Sequence, residues 1–390
     1  MVKWFGRGVL ALILIAAGVF FGVVPGIVEE GQNRVVAHAP YPVSDEARAL
    51  HARLTIADWH ADSLLWNRNL LKAHDRGHVD FPRLEHGNVA LQVFTTVTKS
   101  PAGQNYDENS ADARDNITLL AIAQAWPIKS WFNLTERGLY MADRMARYAD
   151  KAPDRVRLIR SVADIDQLLA DRAAGARVIG AMMGAEGGHV LEGDLANLAR
   201  LDAAGFRLIG LTHFFDNALG GSLHGEAGTG LTAFGRAVVA EMVTRQMVID
   251  LAHASPQMAR DVLEITEVPV IVSHSGINSH CAVKRNFEDD LMREIAATGG
   301  VIGIGYWEDV TCDASPAGVG AAIMAAIEVV GIDHVSLGSD FDGAVETHLD
   351  TSELAILTQV LMDNGLSETD IAAVMGGNML RVLRSVLPAE

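Results

Sequence analysis

From Leu54 onward, short apolar runs alternate with stretches whose apolar residues recur at helical spacing. The runs at 54–58, 88–97, 177–184, 206–212, 247–252, 268–273, 300–306 and 334–339 read as strands. Several are apolar throughout, as expected for strands covered on both faces. Helical patterns fill the intervals at about 111–126, 134–150, 161–173, 194–204, 231–245, 256–266, 287–298 and 316–331, with two more at 352–364 and 367–387. Strand and helix in alternation predict an α/β chain with a parallel sheet, and eight such units predict a single (β/α)8 TIM-type barrel over residues 54–390. An open doubly wound sheet is the competing arrangement, but no Gly-x-Gly-x-x-Gly turn follows the first strand, which counts against its dinucleotide-binding form.

The N-terminus departs from this pattern. Residues 8–28 form one uncharged apolar stretch, preceded by Lys3 and Arg7 and followed by Glu29 and Glu30. The stretch is about as long as a bilayer-crossing helix, and its flanking charges place the N-terminus on the cytoplasmic side. The expected division is a cytoplasmic segment 1–7, a transmembrane anchor 8–28, a linker with a leading helix (Ser44 to Arg53) over 29–53, and an exported barrel. A cleaved signal peptide is the rival reading. The one small-x-small site, Ala37-His38-Ala39, lies far past the apolar run and is followed by Pro40, a poor context for cleavage.

Composition removes some partners and adds one expectation. The formal net charge is −18 with no long basic run, so nucleic acid is excluded as a partner. The only cysteines are Cys281 and Cys312. An even pair in an exported chain points to a disulfide, whereas two free buried thiols would be the default in cytosol.

The polar residues at strand ends carry the chemistry. His60 and Asp62 close the first strand two positions apart, so both face the same side. Glu186 follows the third strand, His213 the fourth, His253 ends the fifth, His274 the sixth and Asp340 the eighth. In a barrel all of these ring the C-terminal mouth, where active sites of this fold lie. Any one histidine is most simply a hydrogen-bonded core or surface group, and that reading suffices for His38, His51, His74, His78, His86, His334 and His348. Three histidines and two carboxylates together (His60, Asp62, Glu186, His253 and His274) suit zinc or a similar divalent ion. Five ligands exceed the needs of one catalytic ion. A carboxylate bridging two metals, about 3.5–4 Å apart, meets the count and can deprotonate a shared water and polarise a carbonyl. The glycine-rich stretch around His224 has no Gly-Lys-Ser/Thr and reads as a flexible rim. Trp126, Trp131 and Phe132 read as packing residues, and Asp342 as part of a turn closed by Gly343.

Seven motifs, in order, carry a family likeness: Asp-Trp-His60-Ala-Asp62, Glu186-Gly-Gly-His, Leu-Thr-His213, Asp-Leu-Ala-His253, Ser-His274-Ser, Lys-Arg285-Asn and Gly-Ser-Asp340-Phe-Asp-Gly. From about residue 54 to the C-terminus the chain resembles the membrane (renal-type) dipeptidases, a binuclear zinc branch of the metal-dependent amidohydrolase barrels. The resemblance implies two zinc ions per chain, one held by His60, Asp62 and Glu186 and the other by Glu186, His253 and His274. It makes His213 and Arg285 substrate-binding and Asp340 the acid/base beside the substrate. Glu186 and Asp340 would serve a metal-bridging hydroxide that attacks the amide of a dipeptide, L–D dipeptides included. A Cys281–Cys312 bridge agrees with the disulfide of vertebrate relatives, and homodimerisation is a further family expectation. Those relatives are lipid-anchored at the C-terminus, yet residues 381–390 show no hydrophobic tail. The N-terminal helix would anchor this chain instead, as a single-pass protein of a bacterial inner membrane with its barrel in the periplasm. The alternative is another binuclear amidohydrolase, such as an N-acyl-D-amino-acid deacylase. Many of those open with His-x-His and often use a carboxylated lysine where this chain offers Glu186.

Overall fold

The computed structural model describes residues 2–390, so the expected cytoplasmic segment 1–7 begins outside the described residues. Its sheet has nine strands, all paired in parallel: β1 (Ile56–Ala61), β2 (Val89–Phe94), β3 (Val156–Leu158), β4 (Ile179–Ala185), β5 (Phe206–Gly210), β6 (Val248–Asp250), β7 (Ile271–Ser275), β8 (Val301–Ile304) and β9 (Val335–Leu337). The order runs β2-β1-β9-β8-β7-β6-β5-β4-β3, and pairing of β2 with β4 closes eight of the strands into a ring. The expected (β/α)8 barrel is therefore present. β3 is extra. It pairs with the first half of β4 (Arg157 opposite Gly180), along the edge that β5 takes over at Met183. Three residues with one fully buried side chain leave too short a pattern to read as a strand.

The ring strands other than β5 are buried at every position, which explains their continuous apolar runs. Helix starts are fixed by side-chain caps, among them Asn133, Ser161, Thr232, Ser255 and Ser315. The expected helix 367–387 is broken into Glu368–Ala372 and Asn378–Val386 by a wide turn at Ala373–Gly377. Gly376 there lies so close to β1 that a Cβ would strike the Thr55 carbonyl. The final helix packs Met379 and Leu383 against the strand starts at Ala57, Leu91, Val248 and Val301, closing the barrel end opposite the mouth.

Helix Val2–Gly22 presents an apolar surface to solvent, with Leu12 68% and Ile15 63% exposed. Of the expected anchor 8–28, residues 8–22 lie in this helix and span about 22 Å at 1.5 Å per residue, while residues 24–28 fall in the next helix. A second helix, Val24–Gln32, follows at once and packs on the barrel, burying Pro25 and Glu29. The stretch read as a linker is thus docked: Val36 N donates to Thr347 O (2.8 Å), and Thr347 N donates to Arg34 O (3.0 Å). The leading helix forms over Asp45–His51, capped by Ser44.

Two local expectations change. The glycine-rich loop is pinned by bridges from Gly220 to Leu231 and from Ser222 to Ala254, with His224 fully buried. Phe132 is 77% exposed, although Trp126 is buried as expected.

Candidate metal centre and substrate cavity

β1 runs to Ala61, later than its expected end, so His60 sits within the strand and Asp62 directly beyond it. The ring closure brings Glu186, after β4, to the centre of the mouth. Its Oε1 lies 3.6 Å from His60 Nε2, 3.5 Å from His213 Nε2, 3.2 Å from His253 Nε2 and 3.4 Å from His274 Nε2. His60 Nε2 is also 3.6 Å from Asp62 Oδ2 and 3.7 Å from Asp340 Oδ1. All seven residues are buried. His213, read as a substrate contact, is as near to Glu186 as the residues read as ligands.

The arrangement fits a metal. Three carboxylates and four imidazoles share a buried space in which His60 Nε2 has no hydrogen-bond partner. Buried anions without a compensating charge are costly, and a divalent cation removes that cost. The outer groups aim the ligands. Ser273 Oγ lies 2.8 Å from His274 Nδ1 and 3.4 Å from His60 Nδ1, and donates to Asp250 Oδ2 at 2.6 Å. Both rings are thereby oriented with Nε2 toward the centre. Thr95 Oγ1 donates to Asp62 Oδ1 (2.6 Å), leaving Oδ2 for the centre. Beneath it, Asp58 accepts from His60 N, Gln92 Nε2 and Ser339.

Burial pushes Asp340 well above the usual carboxylate range, with Glu186 and Asp62 adding to the shift. Burial also lowers His253 and His274 well below an ordinary imidazole, reinforced by the Arg285 charge at the first and by His60 at the second. This direction favours the neutral ring that metal ligation requires, whereas at His60 burial is outweighed by Glu186 and Asp62, which raise it.

Arg285 is buried on the loop after β7. Its Nη2 donates to His274 O (2.7 Å), Nε has no partner, and its Cζ lies 6.0 Å from the Trp307 ring. The Cys281–Cys312 disulfide forms as expected and ties this loop to the one after β8. Asn286 strengthens the link by donating to the carbonyls of Cys281 and Val310 (both 2.9 Å). Trp307 Nε1 donates to the Tyr106 hydroxyl (2.9 Å), so that hydroxyl keeps its own proton free above the site. A cavity of about 790 Å³ opens over these groups, lined by Glu186, His213, Arg285 and Asp340 together with Tyr106 and Trp307.

Residues 44–389 match the family model described as membrane dipeptidase (peptidase family M19). The chain belongs to that family. As a member of it, the protein is a metal-dependent dipeptidase, a hydrolase of peptide bonds. It is 30% identical over 359 residues to the dipeptidase aclJ of Aspergillus oryzae, covering 86% of this chain and 78% of the relative. It is similar in fold to the probable dipeptidase PvdM of Pseudomonas aeruginosa (TM-score 0.72, 20% identity, 87% and 97% of the two chains). A metallopeptidase of Rhodobacter sphaeroides liganded with a phosphinate mimic of L-Ala-D-Ala is likewise similar (TM-score 0.67, 22% identity, 85% and 99%).

Sequence reading missed several residues of this dipeptidase site. Trp307 stands just past a strand end, so its position was a usable signal. Tyr106 lies in a long loop with no periodic pattern, and Ser273 and Asp250 lie within apolar runs. Nothing local marks their role.

Proposed function

We propose that the chain cleaves dipeptides with a free C-terminal carboxylate, L–D dipeptides among them, using two zinc ions. His60, Asp62 and Glu186 would hold one, and Glu186, His253 and His274 the other. The single observation that carries this is Glu186 Oε1, set within 3.6 Å of four imidazole nitrogens. Bound at these residues, the ions supply an activated water and polarise the scissile carbonyl.

The protein's own groups do the rest. Arg285 takes the substrate carboxylate through its guanidinium. His213 donates to the carbonyl oxygen as negative charge develops on it. Asp340 accepts the proton of the attacking water and returns it to the departing amine nitrogen.

The exposed helix Val2–Gly22 supports anchoring in a bilayer, and Lys3 and Arg7 before the apolar run favour a cytoplasmic N-terminus. This orientation puts the barrel in the periplasm of a bacterial inner membrane.

The test is metal content and hydrolysis of one L–L and one L–D dipeptide by the full chain in detergent, with Glu186→Gln in parallel. About two zincs per chain, with activity lost in the variant, is the expected result. Bound metal without dipeptide cleavage would move the substrate to another class of amide, and no bound metal would overturn the reading.

A further inference from the structure

The helix between the membrane segment and the barrel has no assigned part in the chemistry, yet it borders the cavity. Val28 and Gln32 line the same space as Glu186 and Asp340. Both side chains are exposed, while Glu29 between them is 1% exposed. A carboxylate that deep requires partners. Glu29 ion-pairs with Arg68 and, at 2.8 Å, with Arg76. The Arg68 guanidinium, itself fully buried, also pairs with Asp342. Asn33 Oδ1 accepts from Ala344 N (2.9 Å), and Asn33 Nδ2 donates to Glu29 O (3.3 Å). This helix is therefore fastened to the loop that begins at Asp340.

Its position around the ring defines which end of a substrate it meets. The loop after β9 and the segment after β1 carry it, whereas Arg285 follows β7, three places around the ring from β1. Val28 and Gln32 therefore bound the cavity away from Arg285, on a side open to the amino-terminal residue of a dipeptide whose carboxylate is held by Arg285. The cavity of about 790 Å³ lies toward the upper end for small-ligand pockets.

We propose that helix Val24–Gln32 is a built-in wall of the substrate cavity. Val28 and Gln32 limit the side chain a dipeptide carries at its amino-terminal residue, and Glu29 locks the wall through Arg68 and Asp342 to the Asp340 loop. The membrane-proximal segment is thus a specificity element as well as a tether. The proposal rests on the dipeptidase reading above.

The experiment uses the full chain in detergent micelles and two dipeptides differing only in the first residue, Gly or Leu. Val28→Trp should lower the Leu-to-Gly ratio of kcat/KM about tenfold, and Val28→Ala and Gln32→Ala should raise it, since a few methylenes at a pocket wall discriminate on this scale. Both positions are exposed, so none of these changes opens the core. Glu29→Gln should speed hydrogen exchange at residues 342–347, a readout independent of turnover. A ratio unmoved by all three wall variants, in an enzyme that cleaves both dipeptides, overturns the wall. Unchanged exchange in Glu29→Gln overturns the lock. Wild-type protein that binds metal but cleaves neither dipeptide sinks the dipeptidase reading instead, and this proposal with it.

Discussion

The Nε2 atoms of His253 and His274 lie 3.0 Å apart, from the ends of β6 and β7, and both face Glu186. His60 and His213 Nε2 also lie within 3.6 Å of Glu186 Oε1, so more imidazole nitrogens converge on that oxygen than one carboxylate oxygen can pair. They are arranged for a cation.

Removal of that cation with a chelator should abolish hydrolysis, and zinc should restore it. Ser273→Ala leaves every direct ligand in place but removes the hydroxyl beside His274 Nδ1 and the bond to Asp250. Loss of such an orienting group costs about 10–100-fold in metal affinity. Titration of the metal-free variant with zinc checks this, and an unchanged affinity would remove Ser273 from the site.

Arg285→Ala should lower kcat/KM for a dipeptide about tenfold to a hundredfold, the worth of a charge-assisted hydrogen bond, mostly through KM. The C-terminal amide of the same dipeptide should be far less affected. Arg285→Lys should recover only part of the loss, because a point charge does not reproduce the planar fork. An equal loss on acid and amide would show that Arg285 does not read the carboxylate.

Gly343→Ala would drive a Cβ into the Asp340 carboxylate. Asp340, Asp342 and Ala344 already hold left-handed backbone, with φ of 58°, 63° and 64°, so the loop has little room to yield. Misplacing a reacting group by an ångström costs about 100-fold in kcat. Steady-state kinetics should show that fall with KM changed much less.

Acid should weaken the protein partly through Asp342. Burial would raise this carboxyl, but Arg68 and His78 hold it well below the usual range. A folded-state pKa below the unfolded value of about 3.9 stabilises the fold above that pH, and the contribution is lost as pH falls through the folded pKa. The melting temperature should therefore drop below about pH 4 more steeply in the wild type than in Asp342→Asn. At pH 7 the variant should be less stable by about 3–5 kcal/mol, because Arg68 loses one buried partner. Parallel slopes for the two proteins below pH 4 would refute the assignment.

The strands of the ring were legible because a strand buried on both faces is mostly apolar, even where Asp58, Gln92 and Ser273 interrupt the run. His60 and His274 stand near the ends of their strands, and Asp62, Glu186, His253 and Asp340 in the segments that follow, so the alternation of strand and helix sufficed to gather them at one mouth. The apolar helix at the N-terminus was visible for the same reason.

What the tertiary structure alone decided involves partners far apart in the chain. Glu29 reads as the first charge after a membrane segment. Only folding brings it to Arg68, 39 residues on, and through Arg68 to Asp342. Tyr106 meets Trp307 across 201 residues, and His213 proved as close to Glu186 as the expected ligands. Periodicity reports which face of an element is buried, a property of neighbours along the chain. Which polar groups meet in that burial depends on how the ring closes, and no local pattern records it.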